Sequence, residues 1–256
     1  MKNSMSKKTP GEIIIGKNSV KEAIMADHNI NSILIANSMR KASIASILKK
    51  ATELKVPIKK VDTKKLDSLC GNTNHQGIIA MIAAHQYSSV DDILNVAAQK
   101  GEPPFVIVAY EIVDPHNLGA IIRTAECAGA HGIIISARRA ASLNFTVSKA
   151  SAGALEHIKV ARVANIPSAL ELLKDRGLWI YGASVDGSTY CQADLTGAVA
   201  LVIGSEGFGL GRLAKEKCDF ILSLPQQGKI NSLNASVAAG IIMYEVARQR
   251  LGLVAK

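Results

Sequence analysis

Hydrophobic positions change texture partway along the chain, and the change divides it. Over residues 11–84 short apolar runs alternate with amphipathic stretches. GEIIIGKNSV predicts a short strand and a turn, 19–26 a helix, 32–36 (SILIA) a strand, and 42–54 an amphipathic helix with basic residues on its outer side. A strand at 56–62, a short helix at 64–69 and a last strand at 77–83 complete a small α/β sandwich, of a size that can fold independently. Residues 85–104 read as a linker with one short helix, then Gly and paired Pro. From Phe105 the strands become continuous apolar runs at 105–110, 132–136, 157–163, 179–184, 198–204 and 220–225. Such runs suit a parallel sheet covered on both faces. Helices between them, including 117–128, 166–175 and 234–250, make 105–256 an α/β domain.

The last helix is apolar around nearly its whole circumference, through Val237, Ala239, Ile241, Ile242, Met243, Tyr244 and Val246. It needs cover on more than one side. Either the chain wraps it or a second subunit packs on it, and a homodimer is the favoured reading.

Charge adds a direction. Residues 1–84 hold 14 Lys and Arg against 6 Asp and Glu, a net of +8, and residues 85–256 hold 16 against 15, a net of +1. A field so placed suits a polyanion; a basic surface with no partner is the alternative. Residues 1–10 read as a basic, disordered tail without an apolar secretory core, so the expected compartment is the cytosol, with no membrane span. Cys70, Cys127, Cys191 and Cys218 are too scattered for a zinc site or a disulfide framework.

Three stretches carry candidate chemistry. P-loop, dinucleotide and nucleophile-elbow spacings are absent. The first stretch is Asn117-Leu-Gly-Ala-Ile-Ile-Arg123, in which Asn117 is expected to cap a helix and Arg123 stands alone in an apolar stretch. Arg123 reads either as a surface cation or as a guanidinium placed for a phosphate or an oxyanion. The second, Gly204-Ser-Glu206-Gly-Phe-Gly, closes a buried strand with a carboxylate between glycines. The third, 221–239 (ILSLPQQGKINSLNASVAA), runs from a buried strand through a polar loop into the last helix, with Ser232 and Asn234 as possible caps. Polar groups gathered between a core strand and a core helix are the make-up of a binding site. His75-Gln76-Gly77, before the last strand of the first domain, reads as a capped turn with no carboxylate nearby to poise the imidazole.

In order and content these three stretches resemble the signature motifs of the SpoU (TrmH-like) family of RNA ribose 2'-O-methyltransferases, and 11–84 resembles the family's L30e/L7Ae-like substrate-binding domain. The two-domain form is most similar to bacterial enzymes that methylate a guanosine of 23S rRNA; a tRNA or another rRNA site is an alternative, as is a non-catalytic RNA-binding scaffold. The resemblance implies a C-terminal α/β domain with a deep trefoil knot, working as a homodimer, and S-adenosylmethionine as methyl donor with no metal. It implies donor contacts at Gly204, Leu224 and Leu233, and an active site of Asn117, Arg123, Glu206, Ser232 and Asn234. Asn117 and Glu206 are expected to orient Arg123, and Ser232 and Asn234 to order the donor site. A guanidinium is a poor proton acceptor; stabilising a developing alkoxide and gripping a phosphate are therefore its expected roles. Where many relatives carry Pro-Met-x-Gly, this chain has Pro225-Gln226-Gln227-Gly228.

Overall fold

The computed structural model describes residues 12–25, 30–71, 73–82, 85–230 and 232–253. The tail expected over residues 1–10 and Asn231 of the polar loop lie outside the described residues. The chain divides into two compact units, Met1–His85 and Gln86–Lys256.

In the first unit four strands, β1 (Glu12–Ile15), β2 (Ile30–Ala36), β3 (Ile58–Val61) and β4 (Ile78–Ile82), form a sheet in the order β1-β4-β2-β3. β2 and β3 are parallel, and β4 runs antiparallel to both β1 and β2. Helices α1 (Lys17–Met25), α2 (Ala45–Glu53) and α3 (Thr63–Cys70) connect them. The unbroken run Ile33–Ala36 is buried on both sides of the sheet. On one side Leu34, Ala36 and Ile79 pack with Leu66 and Cys70 of α3. The Asp62 carboxylate accepts from Lys64 N and caps α3, and Gly71 at φ 55° ends it.

His75 differs from expectation. It is buried, its Nε2 lies 2.9 Å from Asp67 Oδ1, and its Nδ1 accepts the Gly77 N–H at 2.9 Å. The carboxylate partner was invisible in the sequence because α3 delivers it from eight residues upstream.

The second unit has six parallel strands: β5 (Phe105–Ala109), β6 (Gly132–Ser136), β7 (Lys159–Val163), β8 (Trp179–Thr189), β9 (Val199–Ile203) and β10 (Phe220–Ser223), in the order β10-β8-β9-β5-β6-β7. Six helices accompany them: α4 (Val90–Lys100), α5 (Pro115–Cys127), α6 (Phe145–Ala150), α7 (Ile166–Asp175), α8 (Arg212–Glu216) and α9 (Ala235–Arg250). Alternate residues of β5 serve opposite cores. Phe105 and Ile107 join Leu118, Ile121, Ile122, Ile242, Met243 and Val246 of α5 and α9, while Val106 and Val108 join Ile93, Ile166, Leu170 and Leu173 of α4 and α7. Both faces are covered, which explains why these strands read as continuous apolar runs. α4 lies within the stretch read as a linker, and its Ile93 is fully buried in this unit. β8 runs five residues beyond the predicted strand, because Ser188 and Thr189 pair with Leu222 and Ser223 of the edge strand β10 after a register shift.

The chain order places a reversal between β5 and β9: β6 and β7 extend one way from β5, β9 and β8 the other. In open parallel sheets ligands bind outside the carboxyl ends of strands at such a reversal. The loops that follow β5, β9 and β10 are the three candidate stretches.

Candidate active site

Each stretch enters the site by its own local rule. After β5, Asp114 adopts extended backbone and accepts from His116 N at 3.0 Å, and Pro115 occupies the first helical position of α5. Proline suits that position because its φ is preset and it has no N–H to leave unpaired. Asp114, not Asn117, is therefore the cap. Asn117 lies inside the first turn with its side chain released for other use, and it is buried.

After β9, Ser205 and Gly209 exchange backbone hydrogen bonds of 2.8 and 3.1 Å, folding 205–209 into a tight loop. Gly204 is needed for this closure: a Cβ there would stand 2.2 Å from Gly209 C and 2.6 Å from Leu210 N. Its glycine is accounted for by the loop's own backbone before any ligand is considered. Glu206 and Phe208 project from the loop, Phe208 with 93 % of its surface exposed.

After β10, the polar loop ends at Asn234, whose Oδ1 accepts from Ser236 N at 2.9 Å, Val237 N at 3.3 Å and Ser236 Oγ at 2.6 Å. Asn234 is the cap of α9. Its amide nitrogen is thereby aimed at the other two stretches.

The three meet in one network. Asn117 Nδ2 donates to Glu206 Oε1 at 2.7 Å; Asn234 Nδ2 donates to the same oxygen at 2.7 Å and to Asn117 Oδ1 at 3.0 Å. One carboxylate oxygen thus joins residues 89 and 28 positions away in sequence. Hydrogen bonds to an ionised group are the stronger kind, and here they tie the loop after β9 to the starts of α5 and α9.

Arg123 stands apart. Six residues along α5 from Asn117, it points about 120° away around the helix. It is exposed, and no described residue accepts a hydrogen bond from it. Ser232 is exposed two residues before the cap. Leu224 packs at the edge of the core and Leu233 is 42 % exposed. Gln226 folds back, donating Nε2 to Leu224 O at 3.1 Å. The structure therefore brings together Asn117, Glu206 and Asn234, places Gly204 and Leu224 just past the ends of β9 and β10, and leaves Arg123 and Ser232 open to solvent.

Two contributors escaped the sequence reading. The Tyr110 hydroxyl fills the space beside Gly211, where a Cβ would come within 2.4 Å of it. Ser236 reinforces the Asn234 cap. Neither has a spacing signal: an aromatic just past a strand and a serine in a helical first turn are common.

Among the described residues no group of three His, Cys, Asp or Glu could hold a metal ion, and no helix is long and apolar enough to cross a membrane.

Known proteins match both units of the chain. The SpoU rRNA Methylase family matches residues 104–244, and the RNA 2'-O ribose methyltransferase substrate binding family matches 13–88. YacO of Bacillus subtilis, whose name assigns it to the TrmH family of tRNA/rRNA methyltransferases, is 46 % identical over 240 residues, 93 % of this chain and 96 % of that protein. An AdoMet-bound rRNA methyltransferase from Sinorhizobium meliloti shares the fold with a TM-score of 0.61 at 24 % identity, over 96 % of this chain and 89 % of that one. A TrmH/SpoU tRNA modifying enzyme of A. aeolicus aligns with a TM-score of 0.54 at 28 % identity, over 59 % of this chain and 77 % of its own. With both of its units matched and the three loops joined at one carboxylate, the chain belongs to the SpoU (TrmH) family of RNA methyltransferases.

Proposed function

We propose that this RNA methyltransferase transfers a methyl group from S-adenosylmethionine to a ribose 2'-hydroxyl, with a guanosine of 23S rRNA as substrate, and that it works as a cytosolic homodimer. Residues 11–84 bind the RNA and 105–256 carry the chemistry. The observation that carries the reading is the Asn117–Glu206–Asn234 network, which holds three loops together at the reversal of a parallel sheet.

When bound, S-adenosylmethionine supplies an electrophilic methyl carbon on a positively charged sulfur. The residues present fit it. The loop after β10 offers exposed apolar side chains, Ile230 and Leu233, and no backbone N–H of 226–230 donates within the described chain. An adenosyl group needs just such a combination of apolar cover and backbone polar groups. Gly204, Leu224 and Leu233 hold the donor, largely through backbone. Asn117, Glu206 and Asn234 keep the loops in register, and Ser232 orders the donor side. We place the family's threaded crossing at 224–234, which leaves edge strand β10 and returns as α9 against α5.

Arg123 serves the acceptor. Exposed and without a carboxylate partner among the described residues, its guanidinium is available to a phosphate and to the negative charge growing on the 2'-oxygen. Its role there is electrostatic, and the hydroxyl proton passes to solvent water. α9 supplies the dimer contact, because Val237, Ile241 and Tyr244, spaced as one helical stripe, remain exposed.

Ribosomal RNA is favoured over tRNA by coverage. The S. meliloti enzyme, named for rRNA, matches both units, whereas the A. aeolicus tRNA enzyme matches 59 % of the chain. Tritiated S-adenosylmethionine incubated with rRNA and tRNA from a strain lacking the gene tests this. Alkali-resistant label should appear in 23S rRNA; label in tRNA alone would replace the substrate, and label at a base would replace the reaction. Arg123→Ala should abolish transfer while leaving donor affinity unchanged by calorimetry, and near-normal turnover would remove Arg123 from the site.

A further inference from the structure

The His75-Gln76-Gly77 turn takes no part in the site above, yet it is built with care. It borders a cleft of about 360 Å³ within the first unit, whose lining includes Lys17, Ser38, Arg40, Ser43, Thr63 and Gln76. That volume lies in the range of small-ligand sites, roughly 300–1,000 Å³. Gln76 is held at φ 51°, a conformation side chains other than glycine rarely take. The buried His75, gripped by Asp67 and by the Gly77 N–H, keeps it there. Non-glycine residues held in this region persist where the surroundings over-determine them, often at ligand clamps. Gly77 permits the packing: a Cβ would stand 2.6 Å from Met39 Cε. The thioether of Met39 forms an apolar wall beside it.

The chemistry of the lining is specific. Gln76 Oε1 accepts from Lys17 N at 3.1 Å, which fixes the amide and leaves its NH2 without a partner among the described residues. Three hydroxyls, of Ser38, Ser43 and Thr63, share the lining. Lys17 and Arg40 bring two cations, and no described carboxylate pairs with either. Cations with an amide and hydroxyls over an apolar wall match a phosphate joined to a polar heterocycle. A double helix offers mainly backbone and shape, whereas an unpaired base can enter a cleft and present its edge.

Resting on the RNA methyltransferase reading, we propose that this cleft binds one unpaired nucleotide of the RNA substrate, distinct from the one methylated. Lys17 and Arg40 hold its phosphate, Gln76 hydrogen-bonds the base edge, and Met39 covers its face. His75 is a positioning residue that acts through Gln76.

The test uses the full chain and two probes: deproteinised rRNA from a strain lacking the gene, and a fully paired RNA duplex. Gln76→Ala should weaken rRNA binding about three- to tenfold, the usual weight of one hydrogen bond. Gln76→Glu keeps the oxygen that accepts from Lys17, protecting the fold, and should weaken binding at least as much, because it removes the NH2 that donates to the base edge. Arg40→Ala should reduce the slope of log affinity against log salt by about 0.7, one single-strand phosphate contact. Duplex affinity should be unchanged by both Gln76 variants, and 4-thiouridine in the rRNA should cross-link to peptides 36–43 or 63–77. Wild-type rRNA affinity in Gln76→Glu, or equal losses on rRNA and duplex, would overturn the proposal. Because these are binding measurements, they separate from the enzymatic reading: absent methyl transfer by the wild type with cleft-dependent binding would refute that reading alone.

Discussion

Asn234 performs two tasks with one amide, and substitutions can divide them. Its oxygen caps α9 and its nitrogen donates to Glu206 and Asn117. Asn234→Ser keeps a capping oxygen and loses both donations. One donation is to a carboxylate, a kind worth about 1.5–3 kcal/mol, and one is to an amide, worth about 0.5–1.5 kcal/mol. Both Asn234 and Glu206 are solvent-exposed, so screening puts the combined loss near the low end, about 1–2 kcal/mol. Asn234→Ala should lose about 1 kcal/mol more through the cap. Asn234→Asp keeps the cap but sets a second carboxylate beside Glu206 Oε1, where the nitrogen now lies at 2.7 Å, and should cost about 2 kcal/mol at pH 7.5. For a unit of this size that is a fall of about 4–8 °C in melting temperature. Its pH dependence has a definite sign. Of two adjacent carboxyls, one holds its proton to higher pH than an isolated group. A raised folded-state value means stability present at low pH and lost as pH rises through that value. The Asp variant should therefore approach the Ser variant near pH 4 and fall below it towards neutrality. Scanning calorimetry from pH 4 to 8, reading the transition of the second unit, measures this. An Asp variant that melts with the wild type across that range would show that the network does not couple the loops.

Three further expectations follow from the same structure. Gly204→Ala forces a Cβ against the backbone of Gly209 and Leu210, which cannot swing aside; overpacking of this kind costs about 1–3 kcal/mol, and titration calorimetry should show donor affinity falling more than tenfold. Unchanged affinity would mean that the 205–209 loop does not shape the donor site. Ile241→Glu should convert the proposed dimer into a folded monomer by sedimentation velocity, since Ile241 is 38 % exposed in the single chain; an unchanged dimer mass would move the interface elsewhere, and a monomeric wild type would remove it. Burial pushes the Cys218 thiol up to about 11, so at pH 8 only about one molecule in a thousand carries its thiolate. Iodoacetamide should label exposed Cys127 and Cys191 within the time that Cys218 stays unmodified, as read by peptide mass spectrometry; equal labelling would show that the β8–β10 edge opens.

The legible part of the site was the part written as local pattern. The Gly204–Gly209 loop and Asn234 before an apolar helix each carry their turn or capping chemistry in a few adjacent residues. The misread parts depended on distant contacts. Asn117 looked like a cap because it precedes an apolar run, but Asp114 and Pro115 start the helix earlier and turn Asn117 toward Glu206. His75 looked unpartnered because Asp67 reaches it only once α3 folds back over the sheet. The predicted strand at 179–184 stopped short of the end of β8, because the pairing of Ser188 and Thr189 needs Leu222 and Ser223 of β10, 34 residues later.

By itself the sequence determined the class. Continuous apolar strands alternating with helices can only be buried between two helical layers, and a +8 field concentrated in residues 1–84 sets the character of the first unit before any coordinates. Its ordered motifs also pointed to the family. Tertiary structure alone decided that Asn117, Glu206 and Asn234 share one carboxylate oxygen, that Arg123 faces away from them, and that Gln76 is locked beside a polar cleft. Periodicity reports which side of an element is buried. Which atoms meet depends on strand order and on helix starts, and those are set by packing among segments far apart in the chain.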